Sequence, residues 1–193
     1  MGRIRLYGRS EFKMSREVFK KDLFRYYGGK ISIKQRLLRD PEISYLYYFR
    51  MRSSARNTIS KLYYRLMLRR ISLKTLIQIP YNTQIGEGFL IAHTGRIIIN
   101  PESVLGKNIN IATGVVIGQE NRGKRVGCPN IGNNVWIGAN SVIVGNITIG
   151  DDVLIAPLSY INFDVPSHAI VVGNPAKTIF RENATESYIN RTV

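Results

Sequence analysis

The sequence of 193 residues predicts a mainly β protein: a parallel β-helix of hexapeptide repeats, preceded by an α-helical region. Two observations predict this fold. Aliphatic residues recur every six positions from Ile79 to Pro166, a period that neither an α-helix nor a β-hairpin would keep. The excess of basic residues lies entirely before that repeat. A fixed short period indicates a solenoid in which each strand pairs with its equivalent one coil earlier.

The first part of the chain, residues 1–78, is basic and is predicted to be α-helical. It contains 20 Lys and Arg against 5 Asp and Glu, whereas residues 79–193 contain 8 of each. Breaks are expected at Gly28-Gly29 and at Asp40-Pro41, because glycine and proline interrupt helices. The concentration of positive charge predicts an anionic partner, such as phosphate groups or lipid headgroups.

Two stretches of this region look amphipathic. One is the aromatic run 45–49, which is followed by Arg50 and Arg52. The other has basic residues along one side and apolar side chains at helical spacing on another: Ile59, Leu62, Tyr63, Leu66 and Met67. One hypothesis is that these basic helices contact an anionic membrane surface. The alternative is that their apolar faces pack on the solenoid or between subunits, with the arginines solvated.

The predicted solenoid occupies residues 79–166, and its outward side carries one histidine. Because side chains alternate along a strand, Ile91 is expected to point inward and His93 outward. The fifth residue of each hexad is also expected to point inward, at Val115, Val135, Ser141, Val153 and Ser159. His93 is therefore the candidate for chemistry on the wall, the alternative being a solvated surface imidazole.

The repeat is interrupted once at length, and it ends before the chain does. Between Ile117 and Ile131 the chain has eight residues more than one hexad needs, which predicts a protruding loop at 119–130. Loops on a rigid scaffold commonly carry function. Residues 167–193 leave the repeat and are expected to form a C-terminal cap and a polar tail.

Composition disfavours several classes of protein. A single cysteine, Cys128, excludes an internal disulfide and fits a reducing compartment. The sequence has neither an apolar run long enough to span a membrane nor the apolar stretch of a secretory signal, so a cytoplasmic protein is expected. It carries no recognised nucleic-acid-binding motif, and neither a nucleic-acid partner nor a metal site is expected.

Three segments together resemble the left-handed β-helix acyltransferases: IPYNTQIGEGFLIAHTGRIIINPESVLGKNINIATGVVIGQ, NRGKRVGCPNIGNNVWIGANSVIVGNITIG and DVPSHAIVVGNPAK. Within that family the sequence resembles the serine acetyltransferase branch, which includes enzymes that O-acetylate bacterial surface polysaccharides. The resemblance covers residues 79–180. It implies a left-handed β-helix, a homotrimer with active sites between subunits, and acetyl-CoA as the acyl donor.

The resemblance also implies roles for individual residues. In the family a wall histidine removes a proton from the acceptor hydroxyl, which attacks the acetyl thioester, and His93 matches that histidine. Histidine suits this task because its protonation changes near neutral pH. The positions that bind the donor fall on Gln119, Ala139 and Pro157 along the pantetheine arm, and on Lys177 near the nucleotide. Pro157 replaces a usual alanine and has no N–H to donate.

The sequence departs from serine acetyltransferases at positions around the acceptor. Gln78 replaces the aspartate that orients the histidine, and Ala92 replaces the aspartate just before it. Gly127-Cys128 replaces an Arg-His pair of the loop. The charged groups that bind a zwitterionic amino acid are therefore missing, so a sugar hydroxyl of a surface polysaccharide is the expected acceptor. Serine O-acetyltransferase of cysteine biosynthesis is the alternative.

The protruding loop is basic. Arg122, Lys124 and Arg125 are expected to meet an acidic sugar, a lipid-linked diphosphate or the 3′-phosphate of coenzyme A. Such polysaccharides are assembled at the inner face of the cytoplasmic membrane, and a peripheral location there is expected. The remaining alternative is a non-catalytic trimeric scaffold or membrane-surface adaptor.

Four other residues receive expectations. Cys128 is expected to shape the acceptor site and not to act as a nucleophile. His168 is expected to be structural, and Trp136 is expected to stack on a neighbour or on a ligand. A backbone carbonyl and Glu102 are the two candidates for orienting His93.

Overall fold

The computed structural model describes residues 14–29, 37 and 39–193. It begins with three described helices: α1 (Met14–Tyr27), α2 (Pro41–Ser54) and α3 (Thr58–Thr75). Proline at the first position of α2 is favourable because its missing N–H would have no partner there. At the start of α3 the side chain of Asn57 accepts a hydrogen bond from Ser60 N, and the helix ends at Leu76 in the left-handed conformation. Predictions that concern residues 1–13, 30–36 and 38 lie outside the described residues.

Short strands then build three sheets that form the walls of a solenoid. The first sheet contains β1 (Ile77–Gln78), β4 (Ile97–Ile99), β7 (Val116–Gly118), β10 (Val142–Val144) and β13 (Tyr160–Ile161). The second contains β2 (Gln84–Ile85), β5 (Val104–Leu105), β8 (Asn130–Ile131) and β11 (Thr148–Ile149). The third contains β3 (Leu90–Ile91), β6 (Asn110–Ile111), β9 (Val135–Ile137), β12 (Val153–Ile155), β14 (Ala169–Gly173) and β15 (Ala176–Phe180). Neighbouring strands are parallel, except that β14 and β15 form an antiparallel hairpin. The predicted parallel β-helix is confirmed.

The strand register shows that the coils differ in length. A regular coil of three hexads joins Val142 to its partner Tyr160. The preceding coil is longer: Val116 pairs with Val142, so the chain between them exceeds three hexads by the eight extra residues of the loop. The first coil, in which Ile77 pairs with Ile97, exceeds three hexads by two residues.

The two extra residues of the first coil can be located from the register of neighbouring walls. The coil that joins Ile91 to Ile111 on the third sheet still contains them. The coil that joins Ile98 to Val116 on the first sheet is a regular one of three hexads. The extra residues therefore lie between Ile91 and Ile98, at the corner that contains His93.

The solenoid extends beyond its predicted limits at both ends. Its first strand begins at Ile77, before the predicted start at residue 79. At the other end β14 pairs in parallel with β12, and Leu154 lies opposite Ile170, two positions short of three hexads. The repeat therefore continues past residue 166 through a shortened coil, which the six-residue count does not reveal.

The predicted inward positions line the core. Val115, Val135, Ser141, Val153 and Ser159 are all buried, as is Ile91, while His93 is exposed. The glycines that follow the core isoleucines permit the coils to approach closely. A Cβ on Gly106, for example, would lie 2.5 Å from the carbonyl oxygen of Gly132 in the next coil.

Tyrosines of the helices complete the backbone hydrogen bonding of the first coil, which has no preceding coil to pair with. The Tyr45 hydroxyl accepts a hydrogen bond from Ile79 N and donates one to Ile79 O, both at 2.9 Å. The Tyr26 hydroxyl does the same for Ile91, at 2.7 and 2.8 Å. Burial raises the pKa of Tyr26 well above its ordinary value, so this hydroxyl keeps its proton to donate.

Charged side chains of α1 and α2 satisfy further groups on the same edge. Arg50 forms a buried, two-pronged ion pair with Asp22 and donates to the carbonyl oxygens of Ile85 and Gly86. Asp22 in turn accepts from Phe89 N at 2.9 Å. Backbone groups at a sheet edge need such partners when they are buried. The helical region is thus an end cap of the solenoid.

This cap corrects part of the membrane hypothesis. The apolar residues of α2, Tyr45, Leu46 and Phe49, are buried in the core that α2 shares with the solenoid. Arg50 is also buried, so α2 follows the packing alternative, but the expectation of a solvated arginine there is wrong. α3 differs because its apolar face is exposed. No helix in the described part of the chain is long and apolar enough to cross a membrane.

The C-terminal segment 181–193 runs back along the third sheet and is not a free polar tail. Tyr188 packs edge-on against Trp136 with ring centroids 5.0 Å apart, so Trp136 stacks on its own chain. Further along, Asn190 O accepts a hydrogen bond from the buried Arg25, and Arg191 donates to Tyr26 O at 2.7 Å. We call residues 181–193 the C-terminal strap, since it connects the last coil to α1.

Candidate active site

His93 lies at the corner between the third and first sheets, where the chain passes from β3 to β4. The two extra residues of the first coil let this corner bulge from the wall. Gly95 allows the bulge, because it adopts φ 135° and an added Cβ would overlap the Thr113 hydroxyl oxygen. Gly95 N donates to Thr75 O at the end of α3, which anchors the corner to the cap. Among the described residues, the His93 imidazole has no hydrogen-bond partner.

Three candidate residues form a column at this corner. The register follows from equivalent backbone hydrogen bonds, in which Ala92 N, Ala112 N and Gly138 N donate to Ile111 O, Ile137 O and Ile155 O at 2.9, 3.0 and 2.8 Å. His93, Thr113, Ala139 and Pro157 are therefore equivalent positions in successive coils. Coils rise by about 4.8 Å, so Pro157 lies roughly 14 Å from His93 along the column.

The backbone N–H groups of this column are available to a ligand. No hydrogen-bond partner within the described structure accepts from Ala139 N or Thr113 N. At the next equivalent position Pro157 has no N–H. The column therefore presents unpaired N–H groups at Thr113 and Ala139, and this series of donors stops at Pro157.

Lys177 lies near the far end of the same column. β14 continues the register, with Val171 opposite Ile155, so the tip of the β14–β15 hairpin follows Pro157. Lys177 pairs with Val172 on this hairpin and is exposed. The structure thus places Ala92, His93, Ala139, Pro157 and Lys177 along one corner.

The protruding loop, 119–130, lies at a different corner, between the first and second sheets. Its base is closed by a two-residue bridge in which Glu120 and Gly127 exchange backbone hydrogen bonds of 3.0 and 3.1 Å. Gln119 is held at the base by Asn100, which donates to its side-chain oxygen at 3.2 Å. Arg122 and Lys124 are exposed on the loop, and neither has an ion pair within the described residues.

A groove of about 510 Å³ lies between α3 and the outward face of the first sheet. Its polar lining includes Arg65 and Arg69 of α3, together with Gln78 and Asn100. Its floor is apolar, formed by outward side chains such as Ile98. Gln78 therefore faces this groove, and no hydrogen bond joins it to His93 in the described structure.

Comparison with known proteins shows what the chain is similar to. A family model described as bacterial transferase hexapeptide (six repeats) matches residues 129–162. Over 112 residues the chain is 41% identical to serine acetyltransferase 2 of Arabidopsis thaliana, an alignment that covers 57% of this chain and 34% of that protein. A crystal structure of Neisseria gonorrhoeae serine acetyltransferase superposes with a TM-score of 0.70 at 28% identity, covering 89% of this chain and 67% of that one. The chain is thus similar to hexapeptide-repeat acetyltransferases, and among them chiefly to serine acetyltransferases.

Another relative has a name of a different kind. It is the putative colanic acid biosynthesis acetyltransferase WcaB of Escherichia coli (strain K12), 40% identical over 94 residues, which are 48% of this chain and 57% of that protein. The chain spans 29–63% of the length of the curated relatives compared.

Within one chain, the predicted site residues fall into separate groups. Five of them, including the column residues His93, Ala139 and Pro157, lie along one corner, and the loop holds Gln119, Arg125 and Cys128. Gln78 faces the groove on the first sheet, which separates the two corners. Glu102 lies beside Cys128 at the loop corner, so it does not orient His93 of the same chain.

Cys128 is partly buried, and burial raises the pKa of its thiol. The nearby Glu102 carboxylate raises the pKa further, although the Ser103 hydroxyl opposes the shift. A thiol that keeps its proton is a poor nucleophile. This environment agrees with the expectation that Cys128 does not attack the substrate.

His168 is engaged in the attachment of the C-terminal strap. Its Nδ1 lies 2.9 Å from the Asp152 carboxylate. Asp152 also accepts from Ala184 N and from both the backbone and hydroxyl of Thr185. Burial would raise the pKa of Asp152, but the hydrogen bonds from Thr185, His168 and Ala184 outweigh it and hold the pKa below its ordinary value of 3.8. The contact with Asp152 supports the structural role expected of His168.

Sequence reasoning missed the arginines that line the groove. The spacing of Arg65 and Arg69 places them on one side of a helix, but their position over the first sheet depends on how α3 docks. The only signal available is that four-residue spacing. No group of three or more His, Cys, Asp or Glu in the described part of the chain is arranged to hold a metal ion.

Proposed function

We propose that this protein transfers an acetyl group from acetyl-CoA to a hydroxyl group, with His93 as the general base. The observation that carries the proposal is the corner column, in which an exposed histidine stands in register with Ala139, Pro157 and the hairpin that bears Lys177. An extended pantetheine arm fits such a column, because free backbone N–H groups along it can donate to the amide oxygens of the arm.

The proposed reaction is a direct transfer. His93 removes the proton as the acceptor oxygen attacks the thioester carbonyl, and a C–O bond forms. The C–S bond then breaks, and the thiolate of coenzyme A takes the proton back from the imidazolium. Because a neutral hydroxyl is a weak nucleophile, a positioned base of this kind contributes about 10²–10⁴-fold.

We further propose that the complete site forms between two copies of the chain in a homotrimer. The corner column and the loop lie on opposite sides of the first sheet, so one chain does not bring them together. The outward face of that sheet is largely apolar, with Ile98, Val116, Val142 and Val144. Burying this face against a second copy would bring the partner's loop, with its counterparts of Gln119 and Arg125, to the column.

For the acceptor we propose a sugar hydroxyl. Gln78 and Ala92 stand where serine acetyltransferases carry aspartates, and Gly127-Cys128 stands where their loop carries an Arg-His pair. No carboxylate of the described residues lines the groove next to Gln78 to bind an ammonium group. Arg65 and Arg69 on its rim favour an acidic or phosphate-bearing sugar.

Serine is the second candidate acceptor, and the relatives favour it. The similar proteins bear the name serine acetyltransferase far more often than a polysaccharide name. A direct assay distinguishes the two candidate acceptors. Purified protein is incubated with acetyl-CoA and either free L-serine or a panel of sugar acceptors, and release of coenzyme A is followed together with the mass of the acetylated product.

Each result of that assay has one meaning. Acetylation of a sugar with no acetylation of serine supports the main proposal. Efficient acetylation of serine assigns the second candidate and contradicts the argument from missing charges. Failure to bind coenzyme A in calorimetry contradicts both and leaves a scaffold role.

A further inference from the structure

We propose that α3 binds the surface of an anionic lipid bilayer through its outward face, which consists of Ile59, Leu62, Tyr63, Leu66, Arg70 and Leu73. This proposal concerns where the protein is held and does not depend on the acetyl-transfer proposal. It also restricts the membrane contact to one helix, because α2 is buried against the solenoid.

The outward face of α3 is apolar and uncovered. The exposed fractions are 84% for Ile59, 56% for Leu62, 53% for Leu66 and 73% for Leu73. On the opposite side of the helix Leu68 is buried, and Tyr64 and Ile71 pack against the core. The docking of α3 is therefore already complete without the outward face. Apolar side chains grouped in this way on a folded surface indicate an interaction site.

The charge of α3 indicates which partner covers its outward face. The helix contains Lys61, Arg65, Arg69, Arg70 and Lys74 and no Asp or Glu. None of these five cations forms an ion pair with a carboxylate of the described residues. A second copy of the same helix would bring ten positive charges together, whereas anionic headgroups neutralise them. An apolar face accompanied by Lys and Arg is the pattern of helices that lie in a membrane interface.

The shape of the helix fits a position along the bilayer surface. Its 18 residues give a length of about 27 Å. Leu62 and Leu66 would enter the acyl region, while Tyr63 suits the boundary between headgroups and chains. The long side chains of Arg70 and Lys74 can reach the phosphates.

The test is co-sedimentation of the full-length protein with vesicles at physiological ionic strength. One vesicle is equimolar phosphatidylcholine and phosphatidylglycerol, and the other is phosphatidylcholine alone. We expect binding to the anionic vesicle and little to the neutral one. The double variant Leu62→Ser/Leu66→Ser should lower the partition coefficient roughly tenfold or more, because two apolar side chains no longer enter the bilayer. Arg70→Gln/Lys74→Gln should lower it by a similar factor, on the order of tenfold.

A matched control removes exposed apolar groups elsewhere. Ile179 and Phe180 are 55% and 74% exposed on β15, so Ile179→Ser/Phe180→Ser should leave vesicle binding unchanged. Circular dichroism and the melting temperature verify that every variant is folded. Absence of wild-type binding to anionic vesicles overturns the proposal, and so does an equal loss in the β15 control. Unchanged vesicle binding of Leu62→Ser/Leu66→Ser, with a reduced molecular mass in light scattering, assigns the face to a second copy instead.

Discussion

The hydroxyl of Tyr45 takes the place of a preceding coil for Ile79, since it accepts from the backbone N–H and donates to the carbonyl of that one residue, both at 2.9 Å. In an interior coil both groups would face the preceding coil, as Ile111 O does when it accepts from Ala92 N. Tyr26 repeats the arrangement at Ile91, on another wall of the same coil. Two phenols from two helices thus close part of an open β-sheet edge, which would otherwise be a site for association with other strands.

Replacing Tyr45 by Phe should destabilise the protein measurably. The substitution leaves Ile79 N and Ile79 O buried without partners, which costs about 1–3 kcal/mol of unfolding free energy. Urea denaturation measures this difference. Tyr63→Phe is the control, because Tyr63 is exposed on α3 and should change the midpoint little. Equal midpoints for wild type and Tyr45→Phe would show that the hydroxyl is not required.

Replacing His93 by Ala should abolish most turnover and leave the donor bound. We expect kcat to fall by about 10²–10⁴-fold, as for loss of a general base. The Kd for coenzyme A, measured by titration calorimetry, should not change. His168→Ala is the matched control and should keep kcat while lowering the melting temperature. Cys128→Ser should keep kcat as well, and full activity of His93→Ala would refute the assignment of the base.

Replacing Pro157 by Ala should strengthen the use of acetyl-CoA. The variant supplies the N–H that is missing from the corner column, and one net hydrogen bond lowers KM about two- to tenfold. Steady-state kinetics with varied acetyl-CoA measure this change. Pro166→Ala, at an exposed position outside the column, should have the wild-type KM. A raised or unchanged KM for Pro157→Ala would mean that the pantetheine arm does not follow the column.

Replacing Asp152 by Asn should remove a pH-dependent part of the stability. Because the pKa of folded Asp152 lies below its ordinary value of 3.8, the ionised form stabilises the fold above that pH, and the contribution is lost as the pH falls further. Asp152→Asn should therefore have a lower melting temperature at neutral pH. The wild-type and variant curves should converge below pH 3.8, whereas the exposed control Glu182→Gln should follow the wild type throughout. Parallel curves would contradict the linkage.

The repeat could be predicted in detail from sequence because each coil obeys the same local rule. Ile91, Ile111 and Ile137 each begin a hexad, which implies their common inward position, and the excess before Ile131 implies the loop. The position of His93 on the outer wall follows from alternation alone. Such predictions succeed where an interaction partner lies at a fixed distance along the chain.

The cap could not be predicted, because its partners are far apart and include main-chain atoms. Tyr26 contacts Ile91, 65 residues away, and its hydropathy gives no sign of this contact. A solvated Arg50 is the natural expectation from sequence, since a buried guanidinium is costly without a carboxylate and several carbonyls. Asp22, Ile85 and Gly86 supply these groups only after three separate segments have come together.

The individual site residues could be predicted from the sequence, but their positions relative to one another could not. His93 and Ala139 are far apart in the sequence, and the two unequal coils between them make them equivalent. Their equivalence follows only from the strand register. That register depends on where the two extra residues and the eight extra residues are accommodated. The roles of Arg65 and Arg69 likewise depend on the docking angle of α3.

The C-terminal strap has a consequence for the way this solenoid loses its structure. In a repeat protein each coil contacts only its neighbours, so the ends can melt independently of the middle. Here the strap binds Asp152 near the last coil through Thr185 and also binds α1 through Asn190 and Arg191. Loosening either end therefore weakens the other. The chain is expected to melt in one cooperative step, with no population of partly unwound coils.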